Sequence, residues 1–287
     1  MINNKTKSWL LLIILAIIWG SSFILMNKSM FTEKDLLVPD LLTANEVASL
    51  RIFISGIIMI VVFFKQIKIA LGKDWIFLLL VGFLGNLFPA FLFTNAQTVL
   101  SSSETGIMNS LVPIFSVLVA AFVFGHKISI KAIGGVLLGL VGTVLLIVFN
   151  SKDVNDIPLA PSLLVVLATV CYAFSLNIIK NKLDHVSSLA ITGISLVFML
   201  PFSLYFVIDS EIPTKIMDPF YYKAFGLTAI LAVVGTTFAL IVFNQLIKMT
   251  TSIFASSVTY LIPVVAILWG VYFGEHITWA IGFIAII

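Results

Sequence analysis

One charged residue lies well inside a long apolar run of this sequence: Arg51, in the stretch 47–64. A guanidinium at such depth could meet a substrate carboxylate, work a gate or couple movement to an ion. A structural or topological role is the alternative, because its long stem can carry the charge toward an interface. Glu46 stands five residues earlier, a poor spacing for a same-face helical pair. Glu104 follows Ser101–Ser103, which reads as a capped helix start with a carboxylate at the positive end of the dipole. An outer gate or protonatable coupling group is its second reading. His126, His185 and His276 fall in loops. The single cysteine, Cys171, excludes an internal disulfide and a cysteine cluster. No His-Glu-x-x-His motif occurs, no Asp or His lies deep in an apolar run, and no Walker motif is present. The sequence therefore implies no metal, no cofactor and no ATP-driven chemistry.

The uncharged polar residues inside apolar runs carry more promise. Asn86 sits near the middle of one run, beside Pro89, and Thr236 and Thr237 sit in another. Buried amides and hydroxyls need partners, so they serve either as the polar floor of a cavity or as glue between helices. Pro113 and Pro263 each deprive a helix of a hydrogen bond and free the carbonyl four residues back. Those carbonyls belong to Asn109 and Thr259, within Met108-Asn109-Ser110 and Val258-Thr259-Tyr260, so hinges beside ligand contacts are expected there. Trp19 is too deep in its run for an interfacial belt and is expected, like Tyr172, to line a cavity. Phe88 and Phe93 flank Pro89 and could add aromatic walls.

These residues need elements to hold them, and composition names the elements. The 287 residues are 61% hydrophobic and 10% charged, where a soluble domain is about 45–50% and about 25%. A soluble enzyme, a disordered chain and a nucleic-acid binder are excluded, and a net charge of +3 is too small to signal a polyanionic partner. A helix crosses a bilayer with about 20 apolar residues. Stretches free of Asp, Glu, Lys and Arg run over 8–27, 75–103, 105–126, 132–151, 157–179, 185–208, 224–247 and 249–274, and 47–64 is interrupted only by Arg51. A tenth, 276–287, stops after 12 residues and reads as a truncated helix. Runs such as 132–149 are apolar on every side, which excludes barrel strands. The first run, after Lys5 and Lys7, is long and lacks a small-x-small site, so it reads as a retained helix. With the N-terminus in the cytoplasm, ten of the 16 basic residues fall inside and five outside, while only Asp74 and Asp184 among the acidic ones lie inside.

The chain also resembles itself. Shifted by 150 residues, 73–118 matches 223–268 at eight positions, including Gly85/Gly235, Phe88/Phe238, Phe93/Phe243 and Pro113/Pro263. Phe-Gly-His-Lys-Ile-Ser (124–129) meets Phe-Gly-Glu-His-Ile-Thr (273–278), and Trp19 and Ser22 lie against Tyr172 and Ser175. Five spans per half is an odd number, so the second half inserts upside down. The expectation is an all-α membrane protein of ten transmembrane helices, arranged as two inverted five-helix repeats, 1–150 and 151–287. Such repeats are typical of secondary transporters, with the substrate between them near the midplane.

Trp-Gly-Ser-Ser-Phe (19–23), Leu50-Arg51-Ile52-Phe53 and the proline-bearing fourth and ninth spans resemble the drug/metabolite transporter superfamily, most closely its EamA family. The resemblance covers the whole chain and departs from the pattern at the short tenth span. It implies a multi-pass protein of the bacterial inner membrane that exports small metabolites, amino acids or similar neutral or zwitterionic solutes, by alternating access. The implied partners are the solute, the bilayer and, for a coupled transporter, protons; nucleic acid is not among them. A membrane-embedded enzyme and a sensor or scaffold are the alternatives.

Overall fold

The computed structural model describes residues 4–32, 40–63, 72–127, 158–274 and eight positions between 130 and 142. Most of the expected fifth span, 132–151, and all of the tenth, 276–287, lie outside the described residues. Among the described residues there is no strand, and eight helices are long and apolar enough to cross a bilayer. They are α1 (Asn4–Met30), α2 (Ala44–Phe63), α3 (Trp75–Ala96), α4 (Ser102–Phe122), α5 (Leu159–Lys182), α6 (Ser188–Ile208), α7 (Pro219–Met249) and α8 (Ser252–Tyr272). The ten-helix expectation is met for these eight.

Each helix sorts its surface by the solvent it meets. On α1 the exposed side chains Trp9, Leu10, Ile13, Ile14 and Ile17 form an apolar outer face at helical spacing, while Leu12, Leu15, Ala16, Ser22 and Phe23 are buried. Polar side chains turn inward throughout: Ser55, Asn86, Thr94, Asn177, Thr192, Ser195, Thr236 and Asn244 are all buried. Such side chains find partners only inside the protein, since hydrocarbon offers none.

The helix starts follow sequence signals. Ser101 accepts from the Glu104 N–H at 3.2 Å, and Glu104 accepts the Ser101 N–H at 2.8 Å, closing a capping box on α4. Thr43 and Glu46 make the same reciprocal pair on α2, and Thr251 caps α8. The first halves of the Phe-Gly repeats end α4 and α8. Gly125 and Gly274 there take φ of 68° and 78°, a left-handed conformation that stops a helix without a Cβ clash.

Four helices are irregular, in two pairs. α3 contains a π turn over Phe83–Leu87, and α7 contains a longer one over Leu231–Phe238. α4 breaks between Asn109 and Val112, and α8 breaks at Ser257. The two prolines therefore act differently. Pro263 lies inside the continuous second piece of α8, as the sequence suggests. Pro113 is instead the second residue of a new helix, where its missing N–H costs little, so the irregularity is the break before it rather than a kink at it.

Packing interleaves the two ends of the chain. α1 packs on α7 and α8, and α5 packs on α3 and α4. α2 packs on α6 and α7, and α6 packs on α2 and α3. Small residues set the close approaches. A Cβ on Gly85 would stand 2.4 Å from Ser175 Oγ, and one on Gly235 would stand 2.8 Å from Ser22 Oγ. Near one end of the bundle, the short helix Ile212–Lys215 is tied to α2 by the Lys215 Nζ–Glu46 Oε2 ion pair at 2.9 Å. Burial lowers the Lys215 pKa, but its hydrogen bonds to Glu46 and Glu211 outweigh that and hold it above the usual lysine value.

Candidate functional site: a central cavity

The irregular helices surround a cavity of about 980 Å³, counted with its open mouth, and all eight described spans contribute to its wall. The π turns explain its polar residues. A π turn frees carbonyls that a regular helix would occupy, and side chains can answer them. In α3, Asn86 Nδ2 reaches the Val81 carbonyl and Ser195 Oγ of α6, each at 3.4 Å. In α7, Thr236 Oγ1 donates to the Leu231 carbonyl at 3.1 Å, the same five-residue reach made 150 positions later. Two neighbours bond further carbonyls of this turn. Trp19 Nε1 donates to Gly235 at 3.0 Å, and Ser55 Oγ donates to Ala232 at 2.9 Å.

Arg51 enters from α2. It is 9% exposed and lines the cavity. Its Nε donates to Thr236 Oγ1 at 2.6 Å, and Nη1 points at the Met26 sulfur at 3.9 Å. No acidic side chain among the described residues pairs with it, because Glu46 is committed to Lys215. An arginine at the centre of a membrane helix costs about 2.5–3.5 kcal/mol on insertion scales. Here the structure offsets that with one hydroxyl, one thioether and the cavity itself.

Two aromatic pairs complete the wall. Trp19 meets Phe243 edge-on at 4.7 Å between centroids, and Tyr172 stacks on Phe93 at 5.8 Å. The Tyr172 phenol is within electrostatic reach of Arg51. The Oδ1 atoms of Asn86 and Asn109 are buried and have no hydrogen-bond partner among the described residues.

Of the residues singled out from sequence, Trp19, Arg51, Asn86, Phe93, Asn109, Tyr172, Thr236 and Thr259 stand together on this wall. The others do not. Phe88 is 47% exposed on the outer surface of α3. Helical spacing supplies the reason: at about 100° per residue Phe93, seven positions after Asn86, returns to its face, while Phe88, two positions after it, points to the opposite side. Ser110, Thr237, Pro113 and Pro263 are buried beside the cavity without lining it. Tyr260 is also off the wall, with its hydroxyl buried and unpartnered among the described residues. Glu104 is occupied in the capping box. Phe23, Met26, Ser195 and Asn244 line the cavity and escaped the sequence reading. Buried polarity within an apolar run signals Ser195 and Asn244; nothing in the sequence separates Phe23 or Met26 from their apolar neighbours.

A bundle of apolar-faced helices around a central, partly polar cavity defines a multi-pass membrane protein of the transporter class. The comparisons carry this to a family. The model of the EamA-like transporter family matches residues 6–148 and again 159–287. The chain belongs to the EamA-like transporter family, a family of transporters and not of enzymes. A curated Bacillus subtilis (strain 168) protein, named as the uncharacterized transporter YetK, is 28% identical over 192 residues. That alignment spans 63% of this chain and 58% of the relative, so the chain covers less than two thirds of the relative's length. A solved crystal structure, 16% identical, superposes with a TM-score of 0.69 over 98% of this chain and 93% of that one. At that identity the likeness shows the fold alone.

Proposed function

We propose that this membrane protein is a secondary transporter that exports small metabolites, amino acids or similar neutral or zwitterionic solutes, by alternating access around the central cavity. One observation carries the reading: the eight described helices converge on an interior space whose wall is interrupted by the π turns of α3 and α7 and the break in α4, and brings Arg51, Asn86, Asn109 and Thr236 together at membrane depth. The ten-helix architecture of two inverted repeats, 1–150 and 151–287, belongs to the same proposal. Supporting it are the two family matches along the chain and the paired features that recur at nearly the same offset in the second half: π turns, helix breaks and Phe-Gly stops. Supporting it too is the exchange of contacts, in which α1 packs on α7 and α8 as α5 packs on α3 and α4. Each half would then rock against the other about the shared cavity. The site residues proposed are Trp19, Arg51, Asn86, Phe93, Asn109, Tyr172, Thr236 and Thr259, with the break before Pro113 and the proline-bearing segment at Pro263 as hinges. The bacterial inner membrane, with the N-terminus inside, is the proposed location, on the charge distribution of the loops.

The test is flux of a radiolabelled amino-acid panel in proteoliposomes, with and without a pH gradient. Saturable movement of at least one amino acid supports the reading, and stimulation by an opposing proton gradient supports antiport. Protein-containing vesicles no leakier than empty ones to every member would overturn it.

A further inference from the structure

The cavity is lopsided in charge. Among the described residues its wall holds one full positive charge, Arg51, and no carboxylate. A guanidinium has five N–H donors. In Arg51 one is used by Thr236 and one faces a thioether, a weak acceptor, which leaves three without a protein acceptor among the described residues. The Nε–Thr236 bond fixes the plane of the fork, while the chain's nearest acid on the same helix, Glu46, is held by Lys215. A buried arginine that is positioned but not neutralised is a site awaiting an anion, and its fork matches a planar, two-oxygen acceptor.

Resting on the transport reading above, we infer that Arg51 is the carboxylate clamp of the cavity, and that a carboxylate is the obligatory recognition group of its solute. Thr236 orients the clamp. The Oδ1 atoms of Asn86 and Asn109, buried beside the cavity and without a partner among the described residues, are acceptors that would repel a second carboxylate. The aromatic pairs leave the rest of the wall to an apolar group. A monocarboxylate or a zwitterion with an apolar side chain fits this distribution; an amine without a carboxylate does not, since it would share the cavity with an unneutralised Arg51.

Four probes dissect the groups: L-leucine, L-leucinamide, 4-methylpentanoate (leucine without its amine) and 3-methylbutylamine (leucine without its carboxylate). Their binding to the detergent-purified full chain can be followed by tryptophan fluorescence, since Trp19 is on the cavity wall. The expected result is that both carboxylates bind, and that the amide and the amine bind at least about tenfold more weakly. R51Q should bring leucine and leucinamide to within about twofold of each other, and R51K, which keeps the charge but loses the fork, should fall between. Comparing solutes within one variant cancels differences in yield, and if R51Q does not fold, the R51K ratio decides. Equal binding of amine and acid by the unmodified protein, failure of both acids to bind, or an unchanged preference in the variants would overturn the clamp. If amino acids still cross the proteoliposomes in that case, the transport reading stands without it; if none does, both fall.

Discussion

At the residue scale the site turns on how buried polar atoms are answered. Thr236 answers two of them at once, accepting from Arg51 Nε and donating to the Leu231 carbonyl. Thr236→Val keeps the shape and removes both bonds. Hydrogen bonds to charged groups are worth about 1.5–3 kcal/mol, so the variant should melt several degrees lower in detergent, and an unchanged melting temperature would contradict the assignment. Trp19 combines a ring contact to Phe243 with a hydrogen bond to Gly235. Trp19→Ala is expected to lower flux several-fold at normal expression. Full efflux in that variant would remove Trp19 from the site.

At the element scale, irregularity and close packing set the cavity. Regular helices would satisfy every backbone carbonyl internally and present none to a solute. At the π turns of α3 and α7 side chains bond carbonyls of the turn, which fixes Asn86, Thr236 and Trp19 at the cavity wall, and glycines let neighbouring helices close around them. Gly20 shows how tight this is: an added Cβ would stand 2.5 Å from Val265 Cβ and 3.0 Å from the Ile262 carbonyl. Val265 is branched at the clashing atom and cannot turn away. Gly20→Ala should therefore force α1 and α8 apart and destabilise by about 1–3 kcal/mol. A V265G change in the same chain should recover most of the loss in a thermal melt, while V265A, which keeps the Cβ, should not.

At the scale of the whole molecule, charge supplies ties and orientation. The Lys215–Glu46 pair joins the short helix Ile212–Lys215 to α2, and Glu46 is 2% exposed. Lys215→Met strands that carboxylate. Near a surface the cost is expected at about 1–3 kcal/mol, less than for a fully interior pair, and Glu46→Gln in the same chain should recover part of it. The pH dependence follows from the raised Lys215 pKa. A cation held above its ordinary 10.5 contributes fully below that value and loses its contribution as pH rises through the raised one. Stability from this pair should thus be flat across neutral pH and fall only in strong alkali, and K215M should flatten the alkaline limb of a melting-temperature profile. Orientation can be read with cysteines in a C171S background. D209C should react with a membrane-impermeant maleimide in intact cells, and K182C only after lysis; the reverse pattern would invert the topology.

Periodicity and charge spacing are enough by themselves to place the eight described helices, to pair Gly85 with Gly235 and to mark Trp19, Arg51, Asn86 and Thr236. Those are consequences of solvent: a bilayer demands about 20 apolar residues per crossing, so polar exceptions stand out in a linear string. The same string sets Phe88 and Phe93, five residues apart, on different helix faces but could not tell which face meets the cavity, because that depends on the neighbouring helices. Nor could it tell that Pro113 begins a helix while Pro263 lies within one, or that Glu46 belongs to Lys215, 169 residues away. Such facts depend on which helices meet and how their backbones yield where they do. Tertiary packing alone therefore decided that Arg51 stands in the cavity with no counter-ion among the described residues.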